Sequence, residues 1–185
     1  MSQELPTTSY ALLGLLSFGD ELTGYELKQR ADSTLRFYWV SPAMSQVYSE
    51  LGRLTEHGLV TSQQRAPEGP TRYQITAEGR RDLRQWLTDE PADFPALKHP
   101  VALRLLLGHL IEPAEVEAML DGYLGALSAR RQDLQAVHDG LEATRGAPDD
   151  AFRFPRLVAD WGLDYYDSER DIVLELLRRI RAADL

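Results

Sequence analysis

Side chains suited to hydrogen bonding with nucleic acid recur along one face of the segment from Ser41 to His57. At helical spacing, Met44, Val47, Leu51 and Leu54 fall on one face, which is therefore expected to be buried. The opposite face carries small or polar residues: Pro42, Ser45, Gln46, Ser49, Arg53 and Glu56. Ser, Gln and Arg hydrogen-bond base edges and phosphates, and a major groove admits one helix. The spacing predicts a DNA recognition helix in this segment.

The two ends of this helix carry recognisable capping residues. Ser41 is expected to cap the first turn, and Pro42 suits the first helical position. Gly58 follows His57 and suits a left-handed C-terminal cap. Both Ser41 and Pro42 are included among the predicted DNA contacts.

A hairpin is predicted directly after the recognition helix. Residues 59–62 and 72–76 favour strands, and the turn-rich stretch between them has Arg65 and Arg72 at its two shoulders. A two-stranded hairpin alone is marginal in water, so it must rest on the helices. Its tip is then free to reach a phosphate or the minor groove. Thr76 is expected to cap a further helix, whose apolar side is Leu83, Trp86 and Leu87.

Two helices are predicted before the recognition helix. Thr8 or Ser9 is expected to cap the first, and Thr23 begins the second, which would brace the recognition helix as in a helix-turn-helix. The aromatic run 37–40 follows. We expect it to be core between helices, because large aromatic residues are usually buried. The alternative is that it forms one wall of a ligand pocket.

Three segments of the first half resemble the PadR family of bacterial transcriptional regulators. They are YALLGLLSFGDELTGYELK, QVYSELGRLTEHGLV and GPTRYQITAEGRRDLRQWL. The second half, ALRLLLGHL and two long helices, is similar more loosely to the C-terminal domain of longer PadR-like proteins. The resemblance implies a regulator that binds an inverted-repeat operator in double-stranded DNA and releases it when a small molecule binds. Phenolic acids are effectors for some members. The resemblance also implies that Tyr48 contacts a flanking phosphate; the alternative, which its angle on the helix allows, is partial burial.

The predicted fold is mainly α, with two domains. Residues 1–90 form a winged helix-turn-helix with a two-stranded β wing, and residues 91–185 form a helical dimerisation domain. Pro91, Pro95 and Pro100 mark the boundary. The second domain is expected to hold a short apolar helix over 101–111 and long helices over 113–144 and 156–182.

The last helix is predicted to carry a homodimer interface. Its apolar stripe comprises Trp161, Tyr165, Ile172, Leu176 and Ile180. A twofold dimer would cover this stripe and set two recognition helices roughly 34 Å apart. The alternative is that the stripe packs wholly against the 113–144 helix of the same chain.

The aromatic side chains also suggest a candidate site for a small aromatic effector. It would join residues from both domains, because apolar pockets are common at domain boundaries. The candidate pocket residues are Phe37, Tyr38, Trp39, Trp161, Tyr165 and Tyr166.

Composition places few other limits on function. The 185 residues hold no Cys and no apolar run long enough for a bilayer, and no signal-peptide pattern is visible, so we expect a cytoplasmic protein. The formal net charge of −9 is an objection to DNA binding. Residues 53–84 nevertheless carry 6 Arg against 4 acidic residues, and local charge matters most within about 10 Å.

Other functional classes find less support in the sequence. The four His are scattered, and none pairs with a second His at metal-ligand spacing, so no metal is predicted. No nucleophile elbow, phosphate loop or dinucleotide motif occurs, so neither an enzyme nor a cofactor is expected. The main alternative is a winged-helix module that binds protein and not DNA. An uncharacterised enzyme is the last choice.

Overall fold

The computed structural model describes residues 5–64, 67, 69–89, 91–92, 94–95, 98–146 and 151–182. The chain divides into two compact units, residues 1–93 and 94–185, each with its own core. The described helices of the first unit are α1 (Thr7–Leu16), α2 (Gly24–Thr34), α3 (Met44–Glu56) and α4 (Ala77–Asp89). Its strands are β1 (Leu22–Thr23), β2 (Val60–Gln64) and β3 (Thr71–Ile75), and a 3₁₀ turn spans Leu35–Phe37.

The first unit is built around α1, whose leucines are buried on more than one face. Leu12, Leu13 and Leu16 are fully inaccessible, and they share one core with Leu27 of α2 and Leu51 of α3. Ser9 is also fully buried. Because α1 begins at Thr7 and its N-cap is Pro6, the prediction that Thr8 or Ser9 caps this helix is wrong. This core fixes the orientation of α3 on the other helices.

The start of α2 matches the sequence expectation. Thr23 caps the helix, because its hydroxyl accepts a hydrogen bond from the Glu26 N–H at 3.1 Å. The Glu26 carboxylate in turn accepts from the Thr23 N–H at 2.8 Å. This capping box satisfies two N–H groups that the helix itself leaves unpaired.

The sheet has one strand more than the predicted two-stranded wing. The strand order is β1-β3-β2, and both pairings are antiparallel. In the hairpin, Val60 pairs with Ile75, and both side chains are buried. Leu22 of β1 pairs with Tyr73 of β3, so the wing is anchored to the segment that leads into α2.

The hairpin passes into α4 through a close backbone contact. Thr76 caps α4 as expected, since its hydroxyl accepts a hydrogen bond from the Gly79 N–H at 2.9 Å. The Thr76 N–H donates to the Leu59 carbonyl at 3.0 Å. On the same helix, Leu83 is buried and Leu87 is exposed. Trp86 stacks on Tyr10 of α1, with ring centroids 4.7 Å apart, so the first and last helices of the unit are joined.

The aromatic run after α2 does not form the expected core. Phe37 is half-buried, but Tyr38, Trp39 and Val40 are exposed, and 51% of Trp39 is accessible. The run follows a single 3₁₀ turn and lies outside the apolar cluster of the unit. The prediction that residues 37–40 are core is therefore wrong for its last three residues.

The second unit is helical. It contains α5 (Pro100–Leu106), a 3₁₀ turn (Gly108–Leu110), α6 (Pro113–Glu142) and α7 (Arg153–Arg181). Leu120 and Leu127 of α6 pack in one cluster with Val173 and Leu177 of α7. None of the described helices has the length and apolar character needed to cross a bilayer.

The predicted apolar stripe of α7 divides into two parts. Trp161, Tyr165 and Ile172 are exposed, with 72% of Trp161 accessible. Ile180 is buried and Leu176 is half-buried, and both pack on the cluster shared with α6. Each four-residue step advances a side chain about 40° around a helix, so Leu176 and Ile180 lie progressively further from Ile172 and closer to the side that faces α6. The expectation of one continuous outer stripe is wrong for its C-terminal end.

Candidate nucleic-acid interface

The outer face of α3 presents three short polar side chains. Ser45, Gln46 and Ser49 are exposed, whereas Val47, Leu51 and Leu54 on the opposite face are fully buried. The helical spacing therefore predicted this burial pattern correctly. Tyr48 lies on one flank of the exposed face, and Gln46 and Arg53 lie on the other flank.

Gly24 of α2 fixes the flank formed by Tyr48. The Tyr48 ring lies on Gly24, where any Cβ atom would overlap the ring. Tyr48 is half exposed and is close enough to Tyr73 of β3 that their hydroxyl groups interact electrostatically. Burial, with a smaller contribution from Tyr48, raises the pKa of Tyr73. The ring of Tyr48 thus lies over the start of α2.

A buried carboxylate fixes the flank formed by Arg53. Glu50 is only 6% exposed and accepts hydrogen bonds from Arg53 Nη1 at 2.9 and 3.0 Å. The hydroxyl of Ser9 in α1 donates to the same carboxylate. The Arg53 side chain keeps 39% of its surface accessible, so its guanidinium is both anchored inside and open to solvent.

The residues just before α3 differ from the expectation. The helix begins at Met44, its N-cap is Ala43, and no side chain caps it. The Ser41 hydroxyl instead donates to Asp32 Oδ1 at 2.6 Å. Pro42, expected on the exposed face, is buried and precedes the helix. The assignments of Ser41 as the cap and of Pro42 as an exposed helical residue are therefore wrong. Gly58 does end the helix with a φ of 70°, as predicted.

Of the two arginines predicted at the shoulders of the wing, Arg72 lies within the described residues and bonds acceptors of the first unit. Arg72 Nη1 donates to the Glu21 carbonyl at 2.8 Å and to Glu26 Oε2 at 3.4 Å. The pKa of Glu26 lies below its ordinary value, chiefly because the Thr23 N–H hydrogen-bonds the carboxylate, with a smaller contribution from Arg72. Arg72 therefore ties β3 to the capping box of α2. Arg65, the other predicted contact, lies outside the described residues.

Three residues that shape this surface were not singled out in the sequence. Gly24 and Gly79 matter because a neighbouring group occupies the space of a Cβ atom, which no local pattern reveals. Glu50 occupies a position between the apolar and polar faces of α3. An acidic residue at such an edge, next to a buried leucine, was the one available indication of an internal ion pair.

The aromatic residues predicted for an effector pocket are divided between the two units. In the first unit, Phe37 and Tyr38 are neighbours with ring centroids 6.1 Å apart, and Trp39 is exposed. In the second unit, Tyr165 and Tyr166 meet edge to face at 5.9 Å, and Tyr166 packs on the α6–α7 cluster. Tyr166 also lines a groove of about 220 Å³ between α6 and α7 with Leu124 and Arg131. Within the described ranges, no three acidic or His side chains gather into a potential metal site.

Comparison with known proteins shows what the chain is similar to. The sequence model of the Transcriptional regulator PadR-like family matches residues 12–85, which contain α2, α3 and the wing. The Negative transcriptional regulator PadR of Bacillus subtilis (strain 168) is 29% identical over 138 residues, covering 73% of this chain and 75% of that protein.

Residues 12–85 of the chain are therefore similar to the PadR-like family. The fold of the chain matches the crystal structure of Bacillus subtilis PadR in complex with operator DNA, with a TM-score of 0.81 and 25% identity over 95% of this chain and 99% of that one. It also matches Bacillus subtilis PadR in complex with p-coumaric acid, with a TM-score of 0.77 and 24% identity over 97% and 99% of the two chains. PadR-like proteins are transcriptional regulators and not enzymes, and the match confirms the winged-helix fold.

Proposed function

We propose that this protein is a sequence-specific DNA-binding repressor that acts as a homodimer on an inverted-repeat operator. A small aromatic effector would release it from DNA. The exposed polar face of α3 is the observation that carries the proposal, because Ser45, Gln46 and Ser49 present hydrogen-bonding groups on a helix otherwise fixed in the core. Bacillus subtilis PadR, which has the same fold, has been solved in complex with operator DNA. That relative is named a negative transcriptional regulator.

Gln46 is assigned to base recognition, together with Ser45 and Ser49. A Gln amide is suited to paired hydrogen bonds with adenine, and such a pair contributes about 1–3 kcal/mol of discrimination. Gln46→Ala is then expected to change base preference at one position of each half-site. A uniform loss of affinity for all sequences would instead assign Gln46 to the DNA backbone.

Arg53, Arg65 and Arg72 are assigned to phosphates, with Tyr48 on the opposite flank. A phosphate contact adds affinity without sequence preference and releases condensed counterions. Each Arg→Ala change is expected to lower the slope of log affinity against log salt by about one unit. Since Arg72 Nη1 already bonds Glu21 and Glu26, its contribution depends on its other donors.

The homodimer is supported by the outer face of α7. Phe154, Leu157, Trp161, Tyr165 and Ile172 are exposed apolar or aromatic residues that recur at helical spacing. A contiguous apolar surface of this kind is commonly covered by a partner. Leu176 and Ile180, which pack inside the chain, belong at most to the edge of such an interface.

The proposed effector class is supported by the structure of Bacillus subtilis PadR in complex with p-coumaric acid. The candidate contacts are Phe37, Tyr38 and Trp39 in the first unit and Trp161, Tyr165 and Tyr166 in the second. Titration with aromatic carboxylic acids should quench Trp fluorescence, and Trp39→Phe and Trp161→Phe variants would report which unit responds. Unchanged emission in the wild type at saturating acid would remove this part of the proposal.

A gel shift at several salt concentrations tests the central proposal. The wild-type chain should shift DNA from upstream of its own gene, and a scrambled duplex of equal length and composition should compete poorly. Ser45→Ala, Gln46→Ala and Ser49→Ala in one chain should abolish the preference while the protein stays folded. Equal binding of both duplexes would contradict sequence-specific recognition.

A protein-binding winged helix is the second candidate. The observation that favours it is the formal net charge of −9, which opposes association with DNA. Exposed Trp39 and Val40 beside the recognition helix would suit a protein partner. Absence of any shift, even at low salt, would favour this reading.

A further inference from the structure

Arg53 lies on the surface of α3 and is hydrogen-bonded to a carboxylate that is buried in the first unit. Its Nη1 atom donates to both oxygens of Glu50, and Ser9 of α1 donates to Oε2 of the same carboxylate. Glu50 and Ser9 are both buried, and Ser9 is fully inaccessible. The three side chains therefore form a continuous connection from the interior to the DNA-facing flank.

The connection leaves the outer part of the guanidinium available. Among the described residues, Glu50 is the acceptor that Arg53 contacts, and it engages only Nη1. An Arg carries five N–H donors in a rigid planar fork, so Nε and Nη2 remain able to donate to a phosphate. The protein holds Nη1, and 39% of the Arg53 side chain stays accessible.

Holding a long side chain in place favours binding through entropy. An unrestrained Arg loses rotamer freedom when it binds a phosphate, and this loss weakens the complex. When an internal carboxylate already fixes the guanidinium, less freedom is lost on binding. The fixed direction also restricts which phosphate the side chain can reach, and so fixes the register of α3 on DNA.

We propose that Ser9 and Glu50 are positioning residues for DNA binding, which hold Arg53 in the orientation that contacts a phosphate. The inference rests on the proposed DNA-binding function. Neither residue touches DNA itself, and their effect on affinity passes through Arg53. Helix α1 thus contributes to operator recognition from inside the unit.

A double-mutant cycle between Ser9 and Arg53 isolates this effect. Ser9→Ala removes the buried hydroxyl but changes neither the net charge nor the exposed surface, so electrostatic attraction to DNA stays the same. The probe is the duplex that the wild-type chain enriches from a random-sequence pool, measured against an unselected duplex of equal length. Arg53→Ala alone should weaken binding to the enriched duplex about tenfold, because a charge-assisted hydrogen bond is lost.

The expected result is that Ser9→Ala weakens this binding by itself and reduces the further effect of Arg53→Ala to less than about threefold. Glu50→Gln keeps the shape of the side chain and should reduce the effect of Arg53→Ala in the same way. If Ser9→Ala does not fold, the Glu50→Gln background provides the same test. Thermal melting and circular dichroism of each variant verify that the fold is retained.

Two outcomes would overturn the inference while leaving the proposed function intact. One is an Arg53→Ala effect of equal size in the wild-type, Ser9→Ala and Glu50→Gln backgrounds, since Arg53 would then act independently. The other is wild-type binding that Arg53→Ala does not change. If the wild-type chain enriches no duplex at all, the proposed function itself fails, and the positioning role fails with it.

Discussion

The ring of Tyr48 occupies the place where a side chain at Gly24 would begin. A Cβ atom at position 24 would lie 2.5 Å from Cε1 of Tyr48 and 2.8 Å from Cζ. These distances are well inside van der Waals contact, but the overlapping atoms are the far end of a flexible side chain. A residue at the start of α2 therefore determines where a flanking side chain of the recognition helix lies.

Gly24→Ala should consequently affect DNA binding more than folding. The Tyr48 ring can swing away from the new methyl group, so we expect the free energy of unfolding to change by less than about 1 kcal/mol. Operator affinity should fall by about tenfold if Tyr48 loses a phosphate hydrogen bond. Urea unfolding and fluorescence anisotropy measure the two quantities. In a Tyr48→Ala background, Gly24→Ala should have no further effect on affinity; an undiminished effect there would show that Gly24 acts by another route.

Gly79→Ala should instead destabilise the fold, because the group that a Cβ atom would meet is backbone and not the end of a flexible side chain. A Cβ atom at position 79 would lie 2.2 Å from the Leu59 carbonyl oxygen and 3.0 Å from Ile75 Cγ1. The loop before β2 cannot retreat without stretching the hydrogen bond from Thr76 to the same carbonyl. We expect a loss of about 2–3 kcal/mol in urea unfolding. Gly14→Ala in α1 is the matched control, since open space surrounds that position and Ala is the better helix former by up to about 1 kcal/mol.

Stability at low pH should depend on Glu26. Its pKa is lowered in the folded chain, chiefly by the hydrogen bond from the Thr23 N–H. The carboxylate therefore stabilises the fold fully above its unfolded pKa, near 4.5, and this contribution is lost as pH falls through the lower folded pKa. Glu26→Gln should flatten the acid limb of a plot of stability against pH. Arg72→Ala should flatten it only in part, because the Thr23 contacts remain; equal flattening by both variants would contradict this ranking.

The outer stripe of α7 should control association. Trp161→Glu and Ile172→Glu place charges on the exposed stripe and should shift sedimentation from dimer to monomer. Leu174→Glu is the control, because Leu174 is comparably exposed but lies roughly 160° around the helix from Ile172. A chain truncated after Pro155 should likewise be monomeric and lose operator binding. Dimers that persist in all these variants would place the interface elsewhere.

Local chemistry made much of the first unit predictable. Thr23, Gly58 and Thr76 act where the sequence indicates, since helix caps and hairpin turns depend on neighbours within a few residues. The buried face of α3 followed from its spacing in the same way.

The missed features depend on contacts between distant parts of the chain. Strand β1 has two residues, and only its pairing with β3, about fifty residues later, makes it a strand. Pro42 is buried and Trp39 is exposed, and neither follows from the residue types of the segment between α2 and α3. The buried carboxylate of Glu50 accepts a hydrogen bond from Ser9 of α1, which lies 41 residues away in sequence.

The stack of Tyr10 on Trp86 has a consequence for where the winged helix ends as an autonomous folding unit. Both rings lie just outside residues 12–85, the stretch by which the family is recognised. A fragment of residues 12–85 would keep α3 and the wing but lose the ring stacking that joins α1 to α4. Two large apolar surfaces would then be missing from a unit too small to spare them. The smallest cooperatively folding piece of this chain therefore extends beyond residues 12–85 on both sides.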